Sequence, residues 1–229
     1  MHRLNLISQL RAAMTATAVI FAGFLFVDDT DLVAFSEGAE VDAVLTISRL
    51  QTAVLIWQGG LRASGGALKP EKCSWSIADF KWTQGKWRYS SLEETPGSID
   101  VPNLHGELHT ITRLGVSEAV KVVGVHQAMD GNMDAQVNAL KAKADLWGEK
   151  LKSGWLPRSL AHQGSASMIW SSLRYPLPAC TLTASQGEII TRELYKHLLP
   201  KLGANRNYPS VYRHAPASLQ GLDIPLIYI

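Results

Sequence analysis

Phe24-Leu25-Phe26-Val27-Asp28-Asp29-Thr30-Asp31-Leu32 is the stretch on which the reading turns. Aromatic and branched residues run up to Val27, three carboxylates follow within four positions, and Leu32-Val33-Ala34-Phe35 resumes the apolar character. That pattern predicts strand, turn, strand, with acids at the tip. Adjacent carboxylates repel each other and are hard to solvate beside a core, so a divalent cation is their simplest compensator. Magnesium takes oxygen ligands and combines a few carboxylates with phosphate oxygens, which points an acidic strand tip toward phosphoryl chemistry. Taken alone, the same residues also describe a solvated acidic hairpin tip.

Upstream, Arg3 and Arg11 precede an apolar run from Ala12 to Val27, the pattern of a charged region followed by the apolar part of a signal peptide. At 16 residues the run is short for a membrane span. It abuts Asp28-Asp29 directly, without a small-residue cleavage site immediately after it. A buried strand is therefore the expectation, with no membrane association and an intracellular rather than secreted location. The alternative is a secreted or membrane-anchored, non-enzymatic protein whose residues 1–27 form a targeting segment.

Composition narrows the classes. The chain has 229 residues, 46% hydrophobic and 18% charged, which suits one sizeable core or two small ones. With 22 Lys+Arg against 20 Asp+Glu, a whole-molecule polyelectrolyte attraction to nucleic acid is excluded. The sign is uneven, however: Met1–Gly154 holds 15 basic and 17 acidic residues, whereas Trp155–Ile229 holds 7 and 3. Cys73 and Cys180 stand far apart with no metal-ligand spacing around them, so no zinc and no disulfide framework are expected.

Downstream of the acids the hydrophobic period changes. Val44, Ile47, Leu50, Val54, Trp57 and Leu61 recur at helical spacing and predict a helix closed by Gly59-Gly60 and Gly65-Gly66. Cys73, Trp75 and Ile77 alternate, Thr83-Gln84-Gly85 supplies a turn, and Trp87 and Tyr89 follow, so a hairpin is predicted across 72–89. Residues 91–106, with Pro96, Gly97, Pro102 and Gly106, read as a linker. Ala119–Val125 reads as a strand, and Val137, Leu140, Ala144, Trp147 and Leu151 mark the face of a long helix ending near Gly154. Further helices are expected at Arg158–Leu173 and, opened by a Ser185/Glu188 capping box, at Ser185–Leu199, with an irregular tail from Pro200.

The order of these pieces carries a resemblance. Phe26-Val27-Asp28-Asp29, then a helix, then Gly66-Ala67-Leu68-Lys69-Pro70-Glu71-Lys72-Cys73, then Val122-Val123-Gly124-Val125 before a long helix, resembles the C-terminal half of a reverse transcriptase, an RNA-directed DNA polymerase of retroelements. In that family an aromatic-x-Asp-Asp turn sits in the palm, a Pro-x-Lys-like segment follows one helix later, and a small hairpin called the primer grip leads into a helical thumb. The likeness covers roughly residues 24–151 and extends weakly through Lys201–Asn207. It implies an α+β chain divided into a partial palm (1–106), a primer grip and first thumb helix (107–154), and a helical thumb or connection region with its tail (155–229). It further implies Asp28 and Asp29 as catalytic magnesium ligands, Lys72 as a group that protonates or neutralises departing pyrophosphate, Val123, Gly124 and Val125 as the primer grip, and Lys141 and Lys150 as contacts to a nucleic-acid backbone. The implied partners are an RNA template, a DNA primer and deoxynucleoside triphosphates.

The departures shape the expectation as much as the matches. Two-metal phosphoryl transfer needs carboxylates from more than one strand, and none of the 27 residues before Asp28 is Asp or Glu. Fingers and a nucleotide pocket have no counterpart upstream. A fragment inactive on its own is expected, with residues before Gly106 marginally stable and Asp130–Leu199 better ordered. A P-loop ATPase reading of the Asp-Asp step fails because no Gly-x-x-x-x-Gly-Lys-Ser/Thr loop is present.

Overall fold

The apolar run ahead of the acids forms extended chain, and the computed structural model places it in a three-stranded antiparallel sheet, β1 (Leu6–Arg11), β2 (Ala18–Phe26) and β3 (Asp29–Val33). The structure describes residues 6–11, 18–26, 29–35, 42–103 and 106–228, those before residue 30 by their backbone. The chain is α+β and divides into two units, Met1–Glu118 and Ala119–Ile229.

In the first unit, α1 (Ala43–Ala63) begins where the Asp42 side chain accepts from the Val44 amide at 2.9 Å. It runs through Gly59-Gly60 and closes two residues beyond Arg62, where the Gly66 amide donates to the Leu61 carbonyl at 2.8 Å. The hairpin predicted across 72–89 is shorter than expected. Its strands are β5 (Phe80–Thr83) and β6 (Lys86–Tyr89), turning on Gln84-Gly85, both left-handed at φ 51° and 76°. The alternation at Cys73, Trp75 and Ile77 belongs instead to β4 (Ser74–Trp75), which pairs in parallel with the distant β9 (Thr112–Arg113).

The stretch 91–106 is not a free linker. Within it β7 (Asp100–Pro102) pairs with β8 (Leu108–Thr110), and Ile99 and Val101 are wholly buried beside Ile47, Trp75 and Ile111. Helix α1 takes over β7's free edge with side-chain amides. Gln51 both donates to the Asp100 carbonyl (2.7 Å) and accepts from the Asp100 amide (2.8 Å), while Gln58 and Arg62 donate to the Pro102 carbonyl. Buried backbone groups need partners, and these side chains supply them. The division between units therefore falls after Glu118 and not in the 91–106 stretch.

In the second unit, 119–125 is a hairpin rather than one strand, made of β10 (Val120–Val122) and β11 (Val125–Gln127). Helix α2 (Asp134–Ser153) buries Val137, Leu140, Ala144 and Leu151, four of the five predicted face residues. The chain continues as α3 (Arg158–Gly164), a π-helical turn (Ser165–Trp170) and α4 (Ser171–Arg174), then α5 (Ala184–Lys201) and α6 (Ser210–His214). The cap of α5 lies two residues earlier than expected. Thr183 and Gln186 exchange side-chain and backbone hydrogen bonds at 2.9 and 3.3 Å, the reciprocal pair that Ser185/Glu188 was expected to form. Ile190, Leu194 and Leu198 follow at helical spacing with no exposure, and a Cβ on Gly148 would stand 3.3 Å from the Glu193 carbonyl oxygen, so α2 and α5 meet backbone to backbone there. The residues after Pro200 are largely irregular, as expected, apart from α6 and a 3-10 turn at Ala217–Leu219, but they are packed, because Ile224 and Ile227 join the same core.

Candidate nucleic-acid interface

The β10–β11 hairpin is built from a two-residue turn, Val123-Gly124, with φ of 48° and 81°. Both central residues left-handed is the type I′ arrangement that matches strand twist, and it favours Asn-Gly. Valine, branched at Cβ, pays roughly 1–2 kcal/mol to stand there. The turn is held from outside: the Tyr175 hydroxyl, just past α4, donates to the Val123 carbonyl at 2.9 Å, and a Cβ on Gly124 would lie 3.4 Å from the Tyr175 ring. At the root, the buried Gln136 side chain on α2 accepts from the His126 amide at 2.7 Å, and Val125 is buried. Tip and base are thus fixed to two different helices.

Helix α2 carries the lysines on opposite flanks of its buried face, Lys141 with Lys152 and Lys143 with Lys150. Lys141 pairs with Asp145 at 2.6 Å, Lys143 donates to the Ser172 carbonyl at 3.2 Å, Lys150 sits 4.8 Å above the Trp147 ring, and Lys152 pairs with Glu149 at 3.5 Å. Exposed pairs of this kind contribute about 0–1 kcal/mol, so exchanging such a partner for a phosphate costs little. Between the ends of α2 and α5 lies a groove of about 520 Å³ whose walls include Lys152, Lys196, His197, Lys201 and Arg206 against Glu149 and Glu193. The cationic excess read from composition after residue 155 is thus gathered, in part, along one groove. Lys152, in the last turn of α2, and Lys201, in the last turn of α5 and donating to the Gly154 carbonyl, stand at helix C-termini, where positive charge is favourable in its own right.

In the first unit, β2 ends at Phe26 and β3 begins at Asp29, with these two residues opposite each other in register. Val27 and Asp28 lie outside the described residues, and of Asp29 the backbone position is known. Asp31 follows two positions along β3, opposite Phe24. Lys72 closes the 3-10 turn Pro70–Lys72 at the entry to β4, exposed, in a sheet separate from β1–β3. Carboxylate oxygens at the start of β3 are the right donor type for magnesium. The other two strands of the sheet contribute none, since β2 reads Ala-Val-Ile-Phe-Ala-Gly-Phe-Leu-Phe and β1 reads Leu-Ile-Ser-Gln-Leu-Arg. The donor set that two-metal transfer requires is therefore not assembled by β1–β3. Among the described residues no group of three His, Cys, Asp or Glu side chains is placed to hold a metal ion, and no helix is long and apolar enough to cross a membrane.

The chain-order motifs pointed to the turn and helix of the second unit but missed what holds them. Tyr175 lies 52 residues from Val123, and Gln136 ten from His126. Nothing in local periodicity announces such contacts. No family model, no curated protein and no solved structure matches the chain.

Proposed function

We propose that this chain is the palm-end and thumb portion of a reverse-transcriptase-like polymerase, a nucleotidyltransferase that in its intact form extends a DNA primer on an RNA template with magnesium and deoxynucleoside triphosphates. The observation that carries the reading is the succession in the second unit: a tight hairpin, clamped at tip and root, leading after a short turn into a long helix whose two flanks carry four lysines. A hairpin that presses on a primer terminus must keep its tip in place, and a strained turn pinned by Tyr175 does so. The acid-bearing junction between β2 and β3 precedes it in the family's order.

In this reading Val123, Gly124 and Val125 position the primer, Lys141 and Lys150 meet the nucleic-acid backbone, and Lys72 offers positive charge to the leaving pyrophosphate. Magnesium, when bound at Asp28 and Asp29, would stabilise charge on the transferring phosphoryl group. Because β1 brings no carboxylate to that junction, the chain by itself is expected to be inactive. Primer extension on an RNA template with magnesium tests this. The account expects no incorporation by the chain alone and incorporation when an upstream polypeptide bearing a further strand aspartate is added, lost again in Asp28→Asn. Template-dependent synthesis by the isolated chain, or activity indifferent to Asp28→Asn, would overturn it.

A further inference from the structure

The parallel pairing of β4 with β9 ends at Trp75 opposite Arg113. Just beyond it the Leu114 amide donates to the Trp75 carbonyl at 2.8 Å, and Gly115–Glu118 closes as a turn, the Glu118 amide donating to the Gly115 carbonyl at 3.0 Å. The chain leaving β6 is fixed as well, because the Ser90 amide donates to the Asp79 carbonyl at 2.9 Å. Between this turn and the end of β6 lies a cavity of about 290 Å³. That is just below the roughly 300 Å³ at which pockets for drug-sized ligands begin, so the cavity suits a small molecule.

Two charged side chains reach the wall, Arg113 and Glu118, and they form no ion pair with each other or with any other described residue. Arg113 is held from two sides: its guanidinium stands 4.9 Å from the Trp75 ring centroid, and one amino group donates to the Thr95 carbonyl. Its Nε is buried without an acceptor. Burial lowers its pKa, as expected for a charge partly withdrawn from water with no counterion beside it. Glu118 accepts from the Gly115 amide at 2.8 Å through one carboxylate oxygen, and the other has no partner among the described residues. Asp79 lies behind the wall and is already engaged, since the Ser90 and Thr95 hydroxyls donate to it at 2.7 and 2.9 Å. Much of the remaining wall is apolar, supplied by Ile77, Leu92, Leu114 and Val116.

We propose that this cavity binds a free aliphatic α-amino acid, its carboxylate on the Arg113 guanidinium, its ammonium on the Glu118 carboxylate and its side chain against the apolar wall. Opposite charges that share a small cavity without meeting are complementary to a molecule that carries both. A simple anion would satisfy Arg113 but face Glu118 as a like charge, and a simple cation would do the reverse. Arginine's planar fork matches a carboxylate, and an arginine already positioned by Trp75 and Thr95 loses little freedom on binding one. The site uses none of Asp28, Asp29, Lys72 or the β10–β11 hairpin, so its failure and the failure of the polymerase reading are separable.

The test is calorimetric titration of the full chain with leucine, with N-acetyl-leucine, which keeps the carboxylate but not the ammonium, and with leucinamide, which keeps the ammonium but not the carboxylate. Saturable binding of leucine is expected, with each analogue about tenfold or more weaker, a result that depends on no variant folding. Glu118→Gln retains an acceptor for the Gly115 amide, and it should weaken leucine about tenfold while narrowing the gap between leucine and N-acetyl-leucine. Absence of saturable leucine binding overturns the proposal. So does equal affinity for leucine and either analogue, or leucine affinity unchanged in Glu118→Gln.

Discussion

The two units are of similar length but differ in how they stay folded. Among the described residues, the second unit gathers 17 buried core residues drawn from α2, α3, the π-helical turn, α4, α5 and the C-terminal stretch. The first gathers five, Ile47, Trp75, Ile99, Val101 and Ile111, around four two- and three-stranded sheets. Helices with an apolar stripe bury it against one another without leaving backbone edges. Short sheets cannot, and here α1 closes the edge of β7 one hydrogen bond at a time, through Gln51, Gln58 and Arg62. The difference teaches that this chain has one unit held by packing and one held by polar stitching around a thin core. Hydrogen exchange should show α2 and α5 opening last and β4–β9 earlier; slower exchange in the first unit would break the comparison.

The largest expected effect is in the packed unit. Leu194 has no exposure and sits where α5 meets α2, so Leu194→Ala should cost about 2–5 kcal/mol in urea unfolding. Ile99→Ala removes a comparable volume from the thin core and should unfold the first unit while α2 and α5 keep their protection. A single cooperative transition in both variants would contradict the separation.

The next effect is alkaline. Burial pushes the Tyr195 phenol up from 10.0 to about 12. The neutral, protonated form is the one favoured by the fold, so the unfolded chain releases this proton first. Stability is whole below pH 10 and falls by about 2–3 kcal/mol as pH rises toward 12. Tyr195→Phe should flatten that fall in a pH series of thermal melts.

Smaller still is the turn. Val123→Asn should relieve the left-handed valine and raise stability by about 1 kcal/mol. Tyr175→Phe should lower it by about 0.5–1.5 kcal/mol through loss of the bond to the Val123 carbonyl. If Val123→Asn stabilises the chain but weakens primer binding, the strain belongs to function. The smallest effect is acidic: the bidentate hydrogen bonds from Arg88, with the Ser91 amide, hold the Glu94 carboxyl at about 2 against its usual 4.5. What that pair contributes is present above pH 4.5 and is lost as pH falls toward 2. A carboxyl-carbon titration with a midpoint near 4.5 would contradict this, and Arg88→Gln should produce such a midpoint.

Legibility in the sequence tracked the same divide. The face of α2 and the existence of α5 could be read from 3.6-residue spacing, because a helix's periodicity is local. Ile99, Val101 and Ile111 could not be told from loop residues, although they alternate with polar neighbours. Pro96, Gly97, Pro102 and Gly106 dominate that stretch, and its partners on α1 lie more than 40 residues away. Likewise, the parallel pairing of β4 with β9 joins Trp75 to Arg113, a contact that no neighbouring residue specifies. For the candidate site, the acids and the Val-Gly-Val run were visible as motifs. The Tyr175 clamp required the tertiary structure, since its two ends lie 52 residues apart.

The central claim is that the acids at the β2–β3 junction bind a divalent cation. Manganese, a paramagnetic stand-in for magnesium, can be titrated into the isotopically labelled chain while amide signals are followed. The account predicts selective broadening at Phe26, Asp29 and Thr30, abolished in Asp28→Asn, Asp29→Asn. Broadening centred elsewhere, or unchanged by that double substitution, would contradict it.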